Sequence, residues 1–434
     1  MKLRPFELAL VIIFVVLSIA ALVMLSNYKS SDEPKEGDIA PVGVVNIWGT
    51  LPYEVVNDVL VDLKTFSDSY RGVNYRYYSN EEFDEALLNA LADNVGPDLL
   101  LVSQERLVEL RKRIKPISYE SFPAPDIKNL YVDGSQIFAL SDGLYGYPVL
   151  VDPLVMYWNR DILATEGFLE PPKNWESLVN TMFPSLIKRD YDRTIRRSVV
   201  AMGEYSNVRN AFGILSTLLI QGGSDRVTEE GGRYVVKLQS SPAGSDPLRS
   251  AADFYTRFSK PSNALYSWNR AFEDDRKQFI SEDLAIYFGY GSEGREIERL
   301  NPNLNFYIAE MPQGASASIR RTYGKFYAFS LLKSSPNPAG ASVILSKFGS
   351  PEIANLLAQK AGMVPAYRSL VSQGSNDNYG RVTYQSAAIA LGWLNPDPAA
   401  TNEIFKTMTQ DINENRRDLS SAVGDATTRL TKEY

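Results

Sequence analysis

The chain has 434 residues and a net charge of −7. That length exceeds one typical domain, so two lobes are the default, and the acidic balance argues against a general nucleic-acid binder, which needs a basic face. It contains neither cysteine nor histidine, which excludes disulfides, thiolate zinc sites, lipid-modified cysteine anchors, Ser-His-Asp triads and nearly all transition-metal enzymes.

Residues 8–25, LALVIIFVVLSIAALVML, hold one serine and no charge. At about 1.5 Å per residue they span roughly 27 Å, close to a hydrocarbon core. Lys2 and Arg4 precede them, which places residues 1–7 in the cytoplasm and the remainder outside, in a single-pass cell-membrane protein. A cleaved signal peptide is the competing reading, but its apolar region is usually about 7–15 residues. Residues 26–41, SNYKSSDEPKEGDIAP, read as a flexible spacer.

The spacing then predicts a buried strand over 42–48 and a helix over 53–69, with Val55, Val59, Leu63 and Phe66 on one face. A strand over 73–78 and a helix over 80–93 follow, and residues 99–102 form a fully apolar strand. This β-α-β-α-β order predicts a mostly parallel sheet with ligands at the strand C-terminal ends. Residues 143–163, GLYGYPVLVDPLVMYWNRDIL, place Asp152 between apolar flanks. A carboxylate there is costly unless paired or facing a wet cleft, so it either pairs at a sheet edge or lies on a segment crossing between lobes.

Beyond it, Asn174 caps a helix, 207–221 is helical up to Gly222-Gly223, and 225–239 reads as a turn with a hairpin. Helices are expected over 246–259, 269–280, 337–348 and 351–361, strands over 284–288, 304–309 and 323–332, and helical sequence over 399–434. The basic run 188–197 reads as a solvated face, with contact to an anionic lipid or partner as the alternative.

Four stretches, in this order, carry a family likeness. They are 96–102 (GPDLLLV), 147–159 with 172–175 (YP…YWNRD…PKNW), 272–291 with its glycine-rich turn, and 323–365 with its SPN turn, SPE helix start and GMVPA turn. On them the chain resembles the extracellular solute-binding proteins of ABC sugar importers, the maltodextrin-binding type (solute-binding family 1). The resemblance implies an α/β, two-lobed periplasmic-binding-protein-like fold (type II), here behind an N-terminal transmembrane helix. Lobe 1 would be 42–149 plus 316–348, and lobe 2 would be 153–311 plus 352–434. Crossings would fall near 149–153, 312–319 and 348–351.

It also implies ligand-binding positions: Asp152 on the crossing strand, Gln104, Glu105 and Arg106 after the PD strand, an aromatic at Phe212, and one at or beside Tyr290. Trp48, Trp268, Tyr323 and Trp393 are added by position as aromatic platforms, since sugar sites pair ring faces with planar donors and acceptors. Core packing is the competing reading for each ring, and a solvated helix start for Glu105 and Arg106. No catalytic residue, cofactor or metal is expected. The leading function is capture of a mono- or oligosaccharide for ABC permease subunits, with no nucleic-acid partner. The alternatives are a binder of another small polar solute, a membrane-anchored sensor, and a glycosidase using Asp152 and Glu105, which requires two carboxyls about 5–9.5 Å apart.

Overall fold

The computed structural model describes residues 42–192 and 194–434. The expected membrane helix (8–25) and spacer (26–41) lie outside the described residues. Among those described, no helix is long and apolar enough to cross a membrane.

The first strands form where the apolar runs lie. β1 (Val45–Gly49) is followed by helix α1 (Tyr53–Phe66), β2 (Val73–Tyr77), helix α2 (Phe83–Ala92) and β3 (Leu99–Ser103). β1 pairs in parallel with both β2 and β3. α1 buries Val56, Val59, Leu60 and Leu63, a stripe at i, i+3, i+4 and i+7 that needs an apolar surface opposite. Every residue of β3 is buried, as in a sheet covered on both faces.

The element that joins the halves is β4 (Tyr147–Asn159), a 13-residue strand buried from Pro148 onward. β5 (Ile195–Val200) and helix α3 (Ala211–Gln221) come next, then a hairpin of β6 (Arg226–Glu230) and β7 (Arg233–Lys237). Helix α4 (Pro247–Thr256), β8 (Leu284–Tyr290), β9 (Phe306–Glu310) and β10 (Thr322–Leu331) follow. The main sheet runs β2-β1-β3-β10-β4-β8-β5.

β4 changes partners on both edges at one point. Tyr147–Pro153 pairs with β10, whereas Leu154–Trp158 pairs with β8. On its other edge, Leu150 and Val151 pair with β11 (Val364–Pro365) and residues 155–159 with β9. Pro153 stands at the exchange, and a proline, lacking an N–H, suits a place where the ladder is interrupted.

Two expected crossings move. Thr322 donates to the Leu154 carbonyl at 2.8 Å and the Tyr323 amide to Thr217 at 3.1 Å, and only from Gly324 does β10 pair with the first half of β4. That crossing is therefore at 322–324, later than 312–319. Helix α5 (Pro351–Ala361) packs on α1, with Lys360 3.4 Å from Asp58, and β11 pairs in the first half of β4. Residues 352–365 thus side with the first lobe, not the second. Helix α6 (Asn378–Ala388) packs on β4 and β9, so the chain returns to the second half between 365 and 378. Helices α7 (Pro398–Asn413) and α8 (Leu419–Lys432) pair with each other and rest on α4. The expected helix over 269–280 is shorter, Asp275–Ile280, because 269–272 is spent on turns around Asn207 and Asn269.

Candidate functional site

A cleft of about 560 Å³ opens between the halves. The first half contributes Asn80, Asp84, Glu105 and Arg106, and the second contributes Arg209, Asn210, Tyr290 and Glu293. Lys325, on β10 just past the crossing, lies between the two sets. The strand ends bring these residues here, as open α/β sheets generally do.

Of the ten expected ligand positions, three line this cleft: Glu105, Arg106 and Tyr290. Glu105 accepts from the Tyr323 hydroxyl at 2.6 Å and stands 3.8 Å from the Lys325 ammonium. Arg106 is buried. It ion-pairs with Asp84, donates to the Asn80 carbonyl at 2.6 Å and stacks 5.1 Å over Phe83. The solvated helix start considered for this pair is therefore wrong for Arg106. Tyr290 ends β8, its ring 4.6 Å below the Lys325 ammonium.

The other seven are used elsewhere. Gln104 is fully buried and ties β3 to β10: its Oε1 accepts from the Phe326 amide at 2.6 Å, and its Nε2 donates to the Tyr323 hydroxyl and the Gly324 carbonyl. Both of its polar atoms are taken by protein. Asp152 is buried, with one oxygen accepting from the Ser292 amide at 3.0 Å and the other from its hydroxyl at 2.6 Å. Burial raises its carboxyl to about 6, with the Ser292 hydrogen bonds pulling the other way. Facing Ser292 rather than the cleft, it is not the second carboxylate of a glycosidase pair with Glu105.

Among the expected platforms, Trp268, Tyr323 and Trp393 are core, whereas Phe212 is partly buried against it. Phe212 packs edge-on against Tyr323 at 5.5 Å, beside Trp393 at 5.5 Å and over Phe405 at 6.1 Å. Tyr323 and Trp393 are buried, the latter donating to Ser216 at 3.1 Å. Trp268 is sealed, its indole N–H bonded to Asn207 and its ring against Phe272. Trp48 lies on β1 against Tyr78 at 4.7 Å and under Arg76, lining a separate surface hollow. α7 delivers Phe405 onto Phe212 and Trp393, which no local pattern announces.

Arg209, Lys325 and Asn210 were missed. Lys325 alternates with buried Gly324 and Phe326 on a strand, and a cation there was the available signal. Away from the cleft, the β6–β7 hairpin reaches the first half. Glu229 accepts from the Ser141 amide and hydroxyl at 3.0 and 2.8 Å and meets Arg111 at 3.4 Å, while Arg111 also donates to Tyr234. No cluster of acidic side chains suited to a metal ion occurs among the described residues.

Two α/β halves joined by shared strands, with a polar cleft walled from both sides, define the two-lobed solute-binding fold. A cyclo/maltodextrin-binding protein complexed with maltotetraose superposes with a TM-score of 0.70 at 14% identity, over 92% of this chain and 98% of that one. An ABC transporter solute-binding protein from Thermotoga lettingae TMO, bound with alpha-D-tagatose, gives 0.68 at 18%, over 90% and 99%. The sugar-binding protein MalE of Xanthomonas citri gives 0.68 at 16%, over 90% and 97%. In sequence, the chain is 26% identical to the maltodextrin-binding protein MdxE of Bacillus subtilis (strain 168) over 162 residues, 36% of this chain and 34% of that protein. It is 19% identical to a candidate binding protein of Brucella abortus (strain 2308) over 285 residues, 65% of each. The chain thus spans about a third and just under two thirds of these curated relatives. No profile of a known protein family matches it. The likeness drawn from the four motif stretches is borne out in the fold.

Proposed function

We propose that this protein captures a small hydroxyl-rich solute, of the carbohydrate class, between its lobes and presents it to an ABC permease. No bond is broken. The observation that carries this reading is the cleft wall, which draws side chains from both halves around a hinge made of continuous strands. Such a site closes when the guest binds the closed form better than the open one. The sugars named in the similar structures support the solute class.

The lobes in this reading are residues 42–153 with 324–365, and 154–322 with 378–434. Residues 8–25 anchor the head in the membrane, with the head outside and 26–41 as tether. Within the site, Glu105, Arg106 and Tyr290 face the guest together with Lys325, Arg209 and Asn210.

The test is calorimetry and thermal shift on the full chain in detergent micelles, against a panel of neutral and acidic mono- and oligosaccharides and polyols. At least one should stabilise the protein in a saturable way. A flat response across the whole panel ends the assignment.

A further inference from the structure

The hollow beside Trp48 lies apart from the cleft, at the edge of the first lobe's sheet, and encloses about 420 Å³. β1 and β2 run in parallel there, with Asn46 beside Asn74 and Trp48 beside Arg76. Side chains alternate along a strand, so these four share one face, while Val45, Ile47, Val73 and Tyr75 are buried on the other.

Few polar groups on this face are engaged by the protein. The Arg76 guanidinium lies 5.4 Å over the Trp48 ring and 4.9 Å over the Tyr78 ring. It has no hydrogen bond or ion pair among the described residues. The two rings hold the fork in place and leave its N–H donors open. The half-buried Asn46 side chain has no partner among the described residues either, and that of Asn74 makes one bond of 3.3 Å to the Gly72 carbonyl.

Arg76 is the one charged side chain in the wall of the hollow, and the acids near it in sequence are occupied or turned elsewhere. Asp98 is buried and accepts from the Asn46 amide, the Ser335 hydroxyl and the Asn337 amide. Asp93 is exposed outside the wall. Glu81 belongs to the cleft wall, and Glu82 accepts from Ser79.

The hollow also lies close to where the described chain starts. Asn46 is four residues past Val42, about 13 Å of extended chain. Val44 and Val95, 60% and 67% exposed, flank the strand starts at that end. Exposed apolar side chains beside a cation suit the boundary between lipid headgroups and acyl chains.

We propose that this hollow binds a phosphate ester. Arg76 donates from its fork, and the Asn46 and Asn74 amides donate beside it. Charge-assisted hydrogen bonds of this kind are the stronger ones. For a chain anchored through 8–25, the reading on which this step rests, the phosphate within reach is that of a lipid headgroup. The contact then seats the first lobe on the bilayer and takes no part in the cleft.

Two arms test this on the full chain. In neutral detergent micelles, glycerol phosphate should give saturable heat by titration calorimetry. Arg76→Gln should weaken that binding about tenfold or more, and Arg76→Lys, which keeps the charge but not the fork, by less. In phosphatidylcholine vesicles, hydrogen exchange at 73–77 should slow as phosphatidylglycerol is added in wild type, and not in Arg76→Gln. Arg76-dependent binding in micelles without slowing on vesicles assigns the site to free phosphate esters. If Arg76→Gln matches wild type in both arms, the inference is overturned. Flotation with the vesicles checks the anchor separately: a chain that does not float ends the anchor reading, and the micelle arm then decides the phosphate site alone.

Discussion

Two buried polar residues act on the fold rather than on a guest, and each has a measurable signature. Asp152 has its carboxyl raised to about 6, first by burial and against the Ser292 hydrogen bonds. A carboxyl raised in the folded state contributes stability that is present below the unfolded value near 4 and is lost as pH rises through about 6. Wild type should therefore gain about 2 kcal/mol relative to Asp152→Asn between pH 7.5 and 4.5. Urea unfolding at the two pH values checks this, and parallel pH profiles for the two proteins would refute it. Gln104 accepts from the buried Phe326 amide. Gln104→Leu strands that buried N–H, so urea unfolding at neutral pH should show a loss of about 1–3 kcal/mol.

At the scale of elements, the hairpin of β6 and β7 is a second bridge between the halves. The Glu229 carboxyl is buried, which alone would raise it, but hydrogen bonds from Ser141 and Gly232 and the charge of Arg111 hold it below the usual range. Its contribution is present at neutral pH and fades as pH falls through that lowered value. Glu229→Ala should cost about 1–3 kcal/mol at pH 7, seen as a lower Tm. The gap to wild type should narrow in acid, and a gap constant with pH would contradict the assignment. The strands and helices up to Ser103 follow from local periodicity, since each buries one face or is buried on two. The 13-residue length of β4 does not. Its run of apolar residues marks burial, but the exchange of partners at Pro153 depends on β8, β9, β10 and β11, all more than a hundred residues away in sequence. The fate of residues 352–365 was hidden for the same reason: α5 could pack on either lobe until its contact with α1 is known.

For the whole molecule, the hinge reading predicts closure. Small-angle scattering of the full chain in matched-out detergent should show a smaller radius of gyration at saturating guest, and none with a solute that does not bind. An unchanged radius with a guest bound at full occupancy would argue for a rigid cleft. Composition and order of motifs sufficed to exclude thiol chemistry and to point to two α/β lobes, because absent residue types and hydrophobic period are local properties of the chain. Which rings and charges line the cleft was decided by packing. Phe212, Tyr323 and Trp393 are fit to serve as platforms or as packing; Tyr323 and Trp393 are buried, and Phe405, arriving from α7, packs on Phe212 and Trp393. Glu105, Arg209 and Lys325 come from segments more than a hundred residues apart, and a side chain's freedom to bind depends on which hydrogen bonds its distant neighbours have already taken.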